Sequence, residues 1–544
     1  MSNLQSFSFG QTSQVSTLEQ QLETVWGYID SQNVSQAVSA CRNFNQSYSN
    51  SADGWFATSF LALQLRDASQ ALRAIDKAIN LAPKEPKWQI HKAQCCLLAG
   101  DKKTAQTIIT PLIAQDYQDA KVCADLALVL NKLALYSQAS KYYEQAIELV
   151  PNDAGLYFNL AAIQRYLGKT HKAEVNLNWA ISINPNDYEA YLQRASLRKH
   201  TKDDNHVEQL QDVLNKGISH PIGKAQVCYA LAKECEDLKQ YQQSFEYLQQ
   251  GANARRKNMK YDVSNDITTL NKIVDVFDDN FFREKNQNIA KDRDDGDHAI
   301  FVLGLPRTGS TLIERIISSH TNVNSAGELN DFAIQMMAQV KAQAATPPRS
   351  KLALIEFTKT LDFKALGQAY THHTQEHVIN GGKFIDKLPL NSLYVGLIHL
   401  ALPKAKIIHV KRNPLDTIFA IYKQLFTNGY PFSYDLTELT QYYIAHHKLM
   451  NHWHHVMPEV IHQVNYEDVL QDVTGEAKKL IKYCQLDWQA QCSDFHQNKA
   501  PSTTASASQV REKIYKSSAG KWRHYETQLS AVKEQLAQAS IAFS

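Results

Sequence analysis

The chain has 544 residues, more than one ordinary hydrophobic core organises, so two or three domains are expected. A net charge of +2 excludes a global basic field drawing the protein to nucleic acid or to a membrane surface, so any anion site must be local. No apolar run approaches the ~20 residues of a membrane span, and the longest, 393–402, stops at Pro403.

Met1–Gly10 has neither the basic nor the apolar segment of a secretory leader. The eight cysteines show no C-x-x-C spacing, which reads as free thiols in a reducing compartment. Together these lead to the expectation of a cytoplasmic protein, with residues 1–17 as a polar tail.

Residues 18–256 repeat with a period of 34. Ala37, Ala71, Ala105, Ala139 and Ala173 form one series, and Ala93, Ala127, Ala161 and Ala195 a second. Pro83, Pro151 and Pro185 form a third, with Tyr117 in the remaining place; Gly100 and Gly168 flank Ala134 in a fourth. Small residues let two helices approach, the Gly-like position ends the first helix, and Pro stops the second. This pattern is that of the tetratricopeptide (TPR) repeat, in six to seven units. Such arrays stack into an all-α superhelix with a concave face. That face suits a bound peptide or protein partner; a spacer or an oligomerisation arm is the plainer alternative.

Residues 257–297 read as a linker. A short amphipathic helix (Ile267, Leu270, Ile273, Val274, Phe277) precedes a charged run that lacks periodicity.

From residue 298 to 544 the pattern changes. Candidate strands at 299–304, 405–410 and 460–465 are each followed by a helical segment, predicting a parallel α/β sheet. After the first strand comes Gly304-Leu-Pro-Arg-Thr-Gly309-Ser310-Thr311, then apolar residues at helical spacing (Leu312, Ile313, Ile316, Ile317). A tight loop between a strand and a helix N-terminus aims backbone N–H groups and the helix dipole at one spot, which suits a phosphate. The spacing is that of a nucleotide P-loop, but Ser310 stands where an NTPase has Lys, and Arg307 supplies the charge. An ordinary strand–helix turn is the structural alternative. At the second strand's end lies Lys411-Arg412-Asn413-Pro414-Leu-Asp416, with Pro414 opening a helix.

These strings resemble the sulfotransferases that use 3′-phosphoadenosine 5′-phosphosulfate (PAPS), and most closely the tyrosylprotein branch. The resemblance covers about 299–525. It implies that the backbone of Arg307, Thr308, Gly309, Ser310 and Thr311 binds the 5′-phosphosulfate and that Arg412 binds the 3′-phosphate. The family often has Ser eight residues after that Arg; here the position is Ala420. In Ser325-Ala-Gly-Glu328, Glu328 matches the catalytic base, with a capping or surface acid as the alternative. In Phe384-Ile-Asp-Lys387-Leu-Pro389, Lys387 matches the cation at the leaving phosphate, with an ion pair to Asp386 as the alternative. Tyr466 matches a cofactor-contacting tyrosine. Ser506 (or Ser508) and Lys521 match a lid over the nucleotide.

The implied activity is sulfuryl transfer from PAPS to an acceptor hydroxyl, with protein tyrosine favoured and a glycan or small molecule open. Two other readings stand: a P-loop kinase on a small molecule, and a TPR scaffold whose C-terminal domain is inactive. Histidines cluster at 372–377 and 446–455 without H-E-x-x-H or flanking carboxylates, so no metal is expected.

Overall fold

The computed structural model describes residues 17–286, 295–427, 429–498 and 519–543. The chain divides into two compact units between Pro185 and Asn186.

The first unit is five helix pairs, beginning with Thr17–Asp30 and Val34–Ser47 and ending with Ala154–Tyr166 and Thr170–Ile183. Both alanine series sit fully buried where the helices of a pair approach. The Gly-like series turns out to be a conformational series. Gln32, Arg66, Gly100, Ala134 and Gly168 all have positive φ, from 56° to 83°, in the turn after the first helix of their pair. Only two of the five are glycine, so backbone geometry is kept where the side chain is not. Pro83, Pro151 and Pro185 each lie two residues past a second helix, ending at Leu81, Leu149 and Ile183.

The second unit opens with two more pairs, Tyr188–Ala195 with Val207–Asn215 and Pro221–Asp237 with Tyr241–Arg256. The segment expected to be a linker carries the amphipathic helix, at Val263–Val276. Its buried face joins the same core as Tyr229, Phe245 and Leu248 of the last pair and Phe419 and Tyr525 of the C-terminal region. Tyr229 donates its hydroxyl to Tyr422 O at 3.1 Å, and Tyr525 to Ser244 Oγ at 3.3 Å. Shared burial of this kind explains why the compact division falls at 185/186, upstream of residues 257–297.

The sheet has five parallel strands: β1 (Ala299–Leu303), β2 (Val323–Ser325), β3 (Lys383–Lys387), β4 (Lys406–Lys411) and β5 (Ile461–Asn465), in the order β2-β3-β1-β4-β5. Three of these match expected strands. β2 and β3 have no apolar run to announce them; β3 reads Lys-Phe-Ile-Asp-Lys and is buried throughout because it lies between two partners. Alternate residues of β1 serve two cores. Phe301 and Leu303 face one side of the sheet, Ile300 and Val302 the other. Leaving β1, the chain builds first toward β2 and β3 and then crosses to β4. The crevice between the carboxyl ends of β1 and β4 is therefore the topological switch point, the usual ligand site of such sheets.

Candidate active site at the carboxyl ends of the central strands

The loop 304–309 leaves β1 at that crevice and enters the helix Ser310–Ser318. Gly304 has φ 143°, and a Cβ there would stand 2.5 Å from Val410 O of β4. Gly309 has φ 103° and caps the helix; its Cβ would stand 2.4 Å from Cδ2 of Tyr466. Between them Arg307 adopts a left-handed conformation (φ 66°), unusual for a side chain with a Cβ. The buried Thr308 hydroxyl bonds Leu305 O at 2.8 Å and closes the turn. Ser310 is buried at the helix start and Thr311 is half-buried beside it. The loop is thus folded tightly around the N-terminus of a nine-residue helix.

Arg412 follows β4 and turns onto this loop. Its Nη1 donates to Arg307 O at 3.0 Å, and its guanidinium lies 4.9 Å over the Tyr466 ring. Asn413 caps the helix Pro414–Tyr422 through Leu415 and Asp416 N–H. Loop, Arg307, Gly309, Arg412 and Tyr466 therefore meet at one place. Thr417 gives its hydroxyl to Asn413 O at 3.0 Å, and Ala420 is half-buried one turn on. A cavity of about 30 Å³, room for one water, lies under the loop against Thr308, Arg412 and His446.

Asp416 is the residue whose role the motif alone did not suggest. Its carboxylate accepts Gly520 N–H at 2.6 Å and Trp522 N–H at 3.4 Å, and lies 3.9 Å from Arg412. It pins the backbone on either side of Lys521 next to the Arg412 site. Lys521 lies 4.0 Å from Glu236, which pairs bidentately with Lys423 at 2.6 and 2.7 Å. Burial first, then the charge of Lys423, lowers the Lys521 ammonium below its ordinary range. The other lid residue expected from sequence, Ser506, lies outside the described residues.

Lys387 ends β3 in register with Val302 of β1, one strand over from the loop. It pairs with Glu328. Lys387 is 2% exposed whereas the Glu328 side chain is half exposed, so the pair opens to solvent only on the Glu328 side. Its neighbour Asp386 is not its partner. Successive strand residues point to opposite faces, and Asp386 turns inward to accept Tyr370 OH at 2.9 Å and Asn391 Nδ2 at 3.2 Å. Burial raises the Asp386 carboxyl to about 7, with the bonds from Tyr370, Leu329 N–H and Asn391 opposing. The Leu329 bond, with Lys387 N to Gly327 O at 2.8 Å, holds the Glu328 turn on both sides. Burial, then the Glu328 charge, also pushes the Tyr430 phenol above its usual range.

Residues 299–490 match the Sulfotransferase family. Upstream, 11–157 match the cytochrome c-type biogenesis protein H TPR domain, and 142–175 and 225–258 match tetratricopeptide repeats. The chain thus carries a sulfotransferase-family domain and N-terminal TPR repeats. An uncharacterized protein of Aquifex aeolicus is 29% identical over 427 residues, 77% of this chain and 55% of its own length, so the chain spans about half of that relative. Among solved structures, a sulfotransferase domain from the curacin biosynthetic pathway is 20% identical, covering 45% of this chain and 98% of its own, with a TM-score of 0.32. Pseudomonas aeruginosa pilF is 16% identical, covering 42% and 96%, with a TM-score of 0.31. No helix among the described residues is long and apolar enough to cross a membrane.

Within the sulfotransferase-family domain the residues fit an anionic, phosphate-bearing ligand. Glycines at 304 and 309 keep a close-packed backbone cradle, where a Cβ would clash with Val410 O or the Tyr466 ring. A guanidinium sits on that cradle, and a carboxylate paired with a buried lysine stands one strand away.

Proposed function

We propose that the protein transfers a sulfuryl group from PAPS to an acceptor hydroxyl. The observation that carries this reading is the hydrogen bond of Arg412 to the Arg307 carbonyl, which joins the two candidate phosphate sites into one. When bound, the donor supplies a sulfuryl group already activated as a mixed anhydride with phosphate. The backbone from Arg307 to Thr311 and the helix dipole hold the 5′-phosphosulfate. Arg412 forks onto the 3′-phosphate, steadied by Tyr466, and Lys521 flanks it. Glu328 takes the acceptor proton. Lys387 and Arg307 stabilise charge on the leaving and equatorial oxygens. Because the Glu328–Lys387 pair opens only on the Glu328 side, the acceptor approaches there.

A protein tyrosine is the favoured acceptor. The tyrosylprotein-like loop and the TPR repeats, which suit a peptide or protein partner, support it; a cytoplasmic site of action goes with the same reading. Calorimetry tests the donor: 3′,5′-diphosphoadenosine is expected to bind and ATP to bind far more weakly. Preference for ATP would favour the kinase alternative, and binding of neither the inactive scaffold.

A further inference from the structure

Outside the sulfotransferase site, the second unit contains a remodelled repeat. The six other pairs, Ala120–Lys132 with Tyr136–Leu149 and Pro221–Asp237 with Tyr241–Arg256 among them, join their helices through three-residue turns. In the pair Tyr188–Ala195 and Val207–Asn215 the helices shrink to eight and nine residues, and the turn grows to eleven, 196–206. Helical hydrogen bonds have been given up to make a polar loop. Its two histidines, His200 and His206, close on Glu234 of the next helix.

Glu234 is fully buried (0% exposed), and the His200 side chain is too. The His206 ring is 18% exposed. One nitrogen of each ring and one carboxylate oxygen lie within 4.8 Å of one another. His206 Nδ1 stands 3.2 Å from Glu234 Oε1, and His200 Nε2 stands 3.6 Å from it. Four ligands at about 2.0–2.2 Å from a tetrahedral metal are about 3.4 Å apart, so these atoms need move little to take a shared ion.

The charges argue the same way. The other charged groups here are committed: Arg198 to Asp204 at 2.6 Å, and Lys233 to Asp237 at 2.5 Å. Glu234 accepts His206 N–H at 2.6 Å and otherwise faces the two imidazoles. A buried carboxylate without a cation is costly, and a divalent ion would balance it. His200 Nδ1 is buried without a partner, while Nε2, the nitrogen near Glu234, also lies 3.1 Å from Ala195 O; ligation through Nε2 would exchange that carbonyl contact for the ion.

We propose that His200, His206 and Glu234 bind a divalent transition-metal ion of the zinc class, clipping the 196–206 loop to the helix Pro221–Asp237. Two imidazoles and a carboxylate are ligands such ions accept, with a fourth position for water. The histidine-rich stretches at 372–377 and 446–455, which draw the eye in the sequence, supply no such group among the described residues.

The test is titration of chelator-dialysed full-length protein with Co²⁺ and then Zn²⁺. One equivalent of Co²⁺ with the visible bands of a tetrahedral site, displaced by Zn²⁺, is expected. His206→Ala, at the partly exposed ligand, should weaken binding at least about 100-fold while the protein stays folded by circular dichroism. Zn²⁺ should raise the thermal midpoint of the wild type and not of His206→Ala. Absence of stoichiometric binding overturns the proposal. So does binding that survives His206→Ala and is lost in a His447→Ala/His454→Ala double variant.

Discussion

Glu328 and Lys387 carry most of the proposed chemistry at the scale of single residues. Glu328→Gln should abolish transfer and leave affinity for 3′,5′-diphosphoadenosine unchanged, since Glu328 is assigned to the acceptor side. Lys387→Ala should lower turnover on the order of 10²–10³-fold, the loss expected when a donor to developing charge is removed. Single-turnover kinetics would check both. Asp386 makes a pH prediction. Its folded pKa, about 7, lies above the ordinary carboxyl value. The folded state therefore holds the proton more tightly than the unfolded chain, and the stabilisation is complete below about pH 4 and lost as pH rises to 7. The stability difference between wild type and Asp386→Asn should fall across that window, by at most about 1.4 kcal/mol per pH unit, and be flat above it. Urea unfolding at stepped pH measures it. The strand-end positions of Arg307 and Arg412 were legible in the sequence because each lies in a local string after an apolar strand. The orientation of Asp386 was not, because it depends on which face of β3 meets Tyr370. Nor was the anchoring role of Asp416, whose partners at 520 and 522 lie about a hundred residues away.

Among the elements, the loop between β1 and its helix is the most constrained. Gly309→Ala would place a methyl against Tyr466 at a backbone angle that L-residues avoid. It should weaken 3′,5′-diphosphoadenosine binding strongly by calorimetry, with little change in far-ultraviolet dichroism. Gly100 is a contrasting case. It shares the positive φ, but a Cβ there meets nothing within 4 Å. Gly100→Ala should therefore cost only the backbone term, about 1 kcal/mol in urea unfolding. The repeat helices were readable because small residues recur at fixed offsets. β2 and β3 were not: β3 is a short strand buried between two partners, and β2 is a three-residue edge strand, so neither needs an apolar run of its own.

At the scale of the whole molecule, the 34-residue period runs on without a break from Ala37 to Ala195, yet two of the seven helix pairs belong to the same compact unit as the sheet. Periodicity is local, whereas unit membership rests on contacts such as Tyr229 with Tyr422 and Glu236 with Lys423. A fragment beginning at residue 186 should fold cooperatively and bind 3′,5′-diphosphoadenosine; one beginning at 298 should expose the apolar face under Phe419 and Tyr525 and aggregate. Size-exclusion chromatography and calorimetry distinguish the two. The central claim is the transfer itself. Its most direct test is incubation of wild-type protein and Glu328→Gln with ³⁵S-labelled PAPS and a fractionated lysate. The account predicts label in a hydroxyl-bearing acceptor, with protein tyrosine first, for the wild type alone. No transferred label from a wild-type protein that is folded and supplied with every fraction, or equal label from Glu328→Gln, would contradict it.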